Sequence, residues 1–93
     1  MLKNSAAAEA FLKCMANRNR LMILCALLDG NKSVGELNAE VPLSQSALSQ
    51  HLSVLRDAGL VTTQREAQTI HYSLADERVR SLLNTLYNLF CVP

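Results

Sequence analysis

Apolar positions recur at helical spacing in four successive segments of this chain, give way once to strand-like alternation, then return to helical spacing. The first segment starts after Asn4 or Ser5 and runs to about Met15. Ala8, Phe11, Leu12 and Met15 share a face there, and Cys14 sits off it. Residues 16–19 form a short break, in which Asn17 or Asn19 can cap a second helix over roughly residues 18–28. Leu21, Leu24, Cys25 and Leu28 fall at i, i+3, i+4 and i+7, so the Cys25 thiol lies on or beside the buried face. Asp29, Gly30, Asn31 and Lys32 read as a turn.

The stretch from Ser33 to Leu60 carries the strongest local signals. Ser33, with Glu36 three residues later, is a capping-box pattern for a short helix ending near Glu40. Val34, Leu37 and Val41 supply its apolar stripe. Pro42 blocks continuation, because it has no N–H to donate and its ring clashes with the preceding turn. Ser44 then caps a longer helix that runs to about Ala58 and stops at Gly59. Leu48, Leu52 and Leu55 at i, i+4 and i+7 make one face of it buried. The opposite face carries Gln45, Ser46, Ser49, Gln50 and Ser53, all neutral and able to donate or accept hydrogen bonds. Two helices joined by a tight turn, the second wet and amide-rich, match a major-groove reader. The same face also suits an ordinary solvated helix.

Residues 60–66 and 69–74 are rich in Val, Thr, Ile and Tyr, which favours strands. Ile70, Tyr72 and Leu74 alternate with Thr69, His71 and Ser73. Only Ala67 and Gln68 separate the two runs, which therefore form a β-hairpin whose turn lacks the usual Gly. Asp76 caps a last helix over about residues 77–90, with Val79, Leu82, Leu83, Leu86 and Phe90 as a continuous stripe. The predicted fold is mainly α with one hairpin wing: three helices, a recognition helix, two strands and a final helix. That is the order of a winged helix-turn-helix, in one domain over residues 1–93.

Length and composition bound this picture. Ninety-three residues, 49% of them apolar, build a modest core, so dimerisation is a natural way to bury more area. The net charge is only +1, so a nucleic-acid partner is argued from the motif and local charge and not from overall basicity. No apolar run reaches membrane-spanning length and Met1-Leu2-Lys3-Asn4-Ser5 opens no signal peptide, so a cytoplasmic location without membrane partners is expected. In a reducing cytosol the three cysteines are not a disulfide framework; they are apolar core residues or a redox or metal-linked site. No nucleophile–base pair, Gly-rich phosphate loop or carboxylate pair suggests an enzyme, and no cofactor is implied.

The candidate contacts to double-stranded DNA are Ser44, Gln45, Ser46, Ser49, Gln50 and His51 around the recognition helix, and Arg65 and Gln68 near the wing tip. Gln45 and Gln50 are the better base readers, since an amide pairs with an adenine edge in two places. Arg65 can meet a phosphate, which positions the protein without reading sequence. His51 either bonds a phosphate or serves a structural role.

The run Ser46-Ala47-Leu48-Ser49-Gln50-His51-Leu52, then Leu55-Arg56-Asp57-Ala58-Gly59-Leu60-Val61, Arg65-Glu66 and Tyr72-Ser73-Leu74, resembles the ArsR/SmtB family of winged-helix repressors. Met15-Ala16-Asn17-Arg18-Asn19-Arg20-Leu21 also fits that family, and the resemblance covers nearly the whole chain. It implies a homodimer paired through its first and last helices. It also implies binding to imperfect inverted repeats, with two recognition helices about 34 Å apart in successive major grooves. The chain departs from the metal-sensing members. Ser33-Val34-Gly35-Glu36-Leu37 contains no thiol, and Arg78 stands where a His ligand would follow Asp76. No metal site is therefore assigned, although a metal-responsive repressor is kept as an alternative.

Cys25 and Cys91 instead resemble the cysteine pair of the HlyU/BigR/SqrR branch, whose members respond to reactive sulfur or oxidants. That resemblance implies a redox switch in which the two thiols form a disulfide or polysulfide bridge, with an oxidant or persulfide as inducer. The plain alternative is that both are small apolar fillers. The same branch includes anti-silencers, which activate promoters by displacing a nucleoid-associated protein. Cys14 has no role in this scheme.

Overall fold

The structure is a computed structural model and describes residues 2–91. Its elements are α1 (Ser5–Met15), α2 (Arg18–Ala26), β1 (Lys32–Ser33), α3 (Val34–Glu40), α4 (Gln45–Asp57), β2 (Val61–Glu66), β3 (Thr69–Leu74) and α5 (Glu77–Phe90). Short 3-10 turns cover Leu2–Asn4 and Leu27–Asp29, so the second helix tightens before its expected end. The order is that of a winged helix-turn-helix.

Side-chain caps set four of the helix starts. Asn17 Oδ1 accepts from the Asn19 and Arg20 N–H groups at 3.0 and 3.1 Å. The Ser33–Glu36 box is reciprocal: Glu36 N–H donates to Ser33 Oγ at 3.2 Å, and Ser33 N–H donates to Glu36 Oε1 at 3.0 Å. Ser44 Oγ accepts from Ala47 N–H at 3.2 Å, and Asp76 accepts from Arg78 and Val79 N–H. Each bond satisfies a donor that a helix start leaves without an internal partner.

The wing is a three-stranded antiparallel sheet ordered β1-β3-β2, not a bare hairpin. Val61 faces Leu74 at one end and Glu66 faces Thr69 at the other, with Ala67 and Gln68 as the turn. Ala67 adopts φ +57, the left-handed conformation that an L side chain resists. The added strand pairs Lys32 with Tyr72 and Ser33 with His71, where the sequence suggests only a turn. Two residues carry no periodic signal, so this strand forms from its neighbours rather than from its own composition.

Ile23, Leu24, Leu27, Leu37, Leu48, Leu52, Leu55, Leu60, Val79 and Leu83 have no exposed surface and form one core. Three expectations are corrected. In α1 the inward side is Cys14 and Met15, while Leu12 is 53% exposed. In α2 the fully buried residues are Ile23 and Leu24, continued by Leu27 in the 3-10 turn; Leu21, Cys25 and Leu28 are only half-buried. A nine-residue helix apolar on most sides has no dominant periodicity to mark its inner face. In α5 the stripe splits: Val79 and Leu83 enter the core, and Phe90 stands 81% exposed.

Glu36 and Asp76 are held below the usual carboxylate range. For Glu36 the chief cause is the Ser33 backbone N–H, and for Asp76 it is the Arg78 side chain, followed by the Val79 N–H. A folded-state pKa below the unfolded value means stability present above the ordinary carboxylate range and lost as pH falls through the depressed value. Thermal unfolding between pH 7 and pH 3 is expected to show this loss. The Ser33, Arg78 and Val79 amide resonances should titrate with it.

Candidate nucleic-acid interface and thiol groove

Helix α4 has a buried apolar face and an exposed polar one. Leu48, Leu52 and Leu55 are fully buried, while Gln45, Ser46, Ser49, Gln50 and Ser53 are exposed. The buried leucines leave the helix no freedom to turn that polar row inward. Ser44 Oγ caps the helix and also lies 3.4 Å from Ser46 Oγ, so those two hydroxyls are partly occupied. Gln45, Ser49 and Gln50 have no side-chain partner among the described residues. These three side chains can form hydrogen bonds with base edges without first breaking bonds within the protein.

The short turn 58–60 joins α4 to β2, and the two elements pack against each other. Arg65 and Gln68 are both exposed toward the far end of the hairpin, Arg65 opposite Ile70 and Gln68 in the turn. Among the described residues Arg65 pairs with no carboxylate, so its charge is available to a phosphate.

His51 is half-buried, and its Nδ1 accepts from Arg20 Nε at 3.3 Å. The same guanidinium donates from Nη1 to the Cys14 carbonyl at 3.2 Å. Sequence reasoning misses Arg20, because it lies 31 residues from its partner and no spacing rule links the two.

Cys25 and Cys91 come together across α2 and the end of α5. Both line an open groove of about 630 Å³, walled largely by Leu21, Met22, Leu86, Tyr87 and Phe90. Cys91 is exposed and Cys25 is half-buried. Burial pushes the Cys25 thiol above its ordinary value, and Cys91 nearby adds to this. Cys14 is buried on the far side of the α1–α2 break and does not line this groove. Among the described residues no group of three or more His, Cys, Asp or Glu side chains could hold a metal ion. No helix among them is long and apolar enough to cross a membrane.

Residues 17–63 match the family described as bacterial regulatory protein, arsR family. The chain is 55% identical over 91 residues to the transcriptional activator HlyU of Vibrio cholerae, covering 98% of this chain and 84% of that protein. The solved structure of reduced HlyU superposes with a TM-score of 0.92 over 98% of this chain and 96% of that one. The biofilm growth-associated repressor of Agrobacterium fabrum is 45% identical over 93 residues, covering 100% of this chain and 80% of that protein. The homodimeric winged helix-turn-helix DNA-binding domain of Mb0332 from Mycobacterium bovis is 28% identical. It has a TM-score of 0.82, with 92% of this chain and 83% of that one covered.

Burial shields the Cys25 thiol and disfavours its thiolate, whereas Cys91 is exposed, and reactivity follows access and thiolate fraction. Limiting iodoacetamide at neutral pH should therefore alkylate Cys91 before Cys25. Peptide mass spectrometry over a time course reads the order, and faster labelling of Cys25 would contradict it.

Proposed function

The chain belongs to the arsR family of bacterial regulatory proteins, and from that premise we propose that it is a homodimeric DNA-binding regulator switched by bridging of Cys25 and Cys91. Its relatives are transcriptional regulators, and it is not an enzyme. Support for DNA binding comes from the exposed amide and hydroxyl row on α4, held outward by three buried leucines. In this reading Gln45 and Gln50 read base edges, Ser44, Ser46 and Ser49 contact bases or phosphates, and Arg65 and Gln68 hold the backbone from the wing.

The dimer reading is supported by apolar residues that a lone protomer leaves in water. Leu12 on α1 and Tyr87, Leu89 and Phe90 on α5 are exposed, Leu89 by 69%. Large apolar side chains left in water on two helices favour an interface, and α1 and α5 are the helices the family pairs. A second copy would bring a second α4 to the neighbouring half of an inverted repeat.

The observation that carries the switch is the shared groove of Cys25 and Cys91. The Cys91 thiolate attacks the outer sulfur of an organic persulfide, RSSH; the S–S bond breaks and RSH leaves after taking a proton. Cys25 then attacks Sγ of the Cys91 persulfide, forming the disulfide and expelling hydrogen sulfide. A peroxide would follow the parallel course through a sulfenic acid, losing water in the second step. Bridging ties α2 to the end of α5, the proposed dimer helix, and so alters the spacing of the two recognition helices. A second reading, activation by displacement of a nucleoid-associated silencer, is favoured by the activator among its relatives. A promoter assay with and without the silencer separates the two.

Two outcomes are expected. Cysteine persulfide should weaken binding to a genomically selected operator at least about tenfold, a coupling of ordinary size, with recovery on reduction. A Cys25→Ser, Cys91→Ser protein that still lost affinity would sink the switch. Separately, Leu89→Asp with Phe90→Asp should sediment as a folded monomer and bind the operator more weakly; an unchanged dimer would refute the interface.

A further inference from the structure

Among the described residues α4 makes one side-chain hydrogen bond to another element, the Arg20 Nε to His51 Nδ1 bond at 3.3 Å. A guanidinium has only donors and keeps its proton at any working pH. Nδ1 of His51 is therefore a bare acceptor, and the neutral ring carries its proton on Nε2. Among the described residues Nε2 has no partner, and the single buried polar side-chain atom without one is His71 Nδ1. Nε2 of His51 is thus reached by solvent, as a lone N–H donor beside the exposed Gln50.

The guanidinium is itself held. Its Nη1 bonds the Cys14 carbonyl at 3.2 Å, at the end of α1, and no carboxylate among the described residues draws it elsewhere. We propose that Arg20 is a positioning residue for DNA binding: it fixes the ring and tautomer of His51 so that Nε2–H meets a DNA phosphate. The proposal rests on the DNA-binding reading above. His51 lies between exposed Gln50 and buried Leu52, at the flank of the reading face, where a helix in the major groove meets backbone. One donor carries little sequence information but forms a strong bond to an anionic oxygen.

The test has a free-protein arm and a DNA arm. Long-range nitrogen NMR of the full chain should show the Nε2–H tautomer of His51 in the wild type and a mixture in Arg20→Lys. A wild-type Nδ1–H tautomer overturns the proposal whatever the variants do. Arg20→Lys and His51→Ala, each checked for an unchanged thermal melt, should lose about tenfold in operator affinity, the scale of one bond to a charged group. The double variant should bind no worse than His51→Ala alone. Methylphosphonate substitution should reveal one phosphate per half-site whose neutralisation weakens the wild type but not His51→Ala. Wild-type affinity in Arg20→Lys, or no such phosphate, overturns this proposal alone. Failure of the wild type to bind any DNA overturns the DNA-binding reading and this proposal with it.

Discussion

Three leucines on one face of one helix decide what the opposite face can do. Leu48, Leu52 and Leu55 are fully buried, and each contributes about 1.5–3 kcal/mol by leaving water. Rotating α4 by one residue position would expose leucine and bury glutamine or serine without partners, so the helix has one stable rotation. The outer row of Gln45, Ser46, Ser49 and Gln50 contributes little to folding, because it touches mainly solvent. Identity at these positions can therefore be set by the partner alone. In the proposed function, folding and reading fall to opposite faces of the same 13 residues.

Helix α2 joins what α4 keeps apart. Ile23 and Leu24 fix it in the core beneath the recognition helix. Leu21, Met22 and Cys25 face the groove shared with α5. Arg20, at its first turn, holds both the end of α1 and His51 of α4. In the proposed switch, a bond between Cys25 and Cys91 acts on an element already tied to α1, α4 and α5. A close-packed interior does not absorb such a displacement locally. It passes the movement to neighbouring helices, two of which form the proposed dimer surface.

What the sequence disclosed divides along physical lines. Caps were legible because the chemistry is local: Asn17, Ser33 with Glu36, Ser44 and Asp76 each serve an N–H two or three residues away. The inner face of α4 was legible because its polar side is unambiguous. The inner faces of α1 and α2 were not, because alanines and apolar residues occupy most of their surface and only tertiary contact selects the packed side. Cys14 entered the core and Leu12 left it for that reason. The strand at Lys32 and Ser33 and the Arg20–His51 bond are long-range events with no local period. The pairing of Cys25 and Cys91 in one groove came from family resemblance, since spacing alone does not bring positions 25 and 91 together.

The charge distribution adds a last constraint. Among the described residues Lys13, Lys32, Arg78 and Arg80 each lie within 4 Å of a carboxylate, which leaves Lys3, Arg18, Arg20, Arg56 and Arg65 without one. Arg20 is committed to His51 and Cys14. A chain of net charge +1 therefore has few cations with which to attract DNA of any sequence. In the proposed reading, neutral donors on α4 supply a large share of binding, and these act only where base edges and phosphates meet them in register. Weak attraction to arbitrary DNA raises the ratio of specific to non-specific binding, the quantity that governs search among many competing sites. It also makes affinity dependent on having two reading helices at the right separation. A regulator built this way responds to a small change in helix spacing, because no strong unspecific attraction holds it on DNA once register is lost.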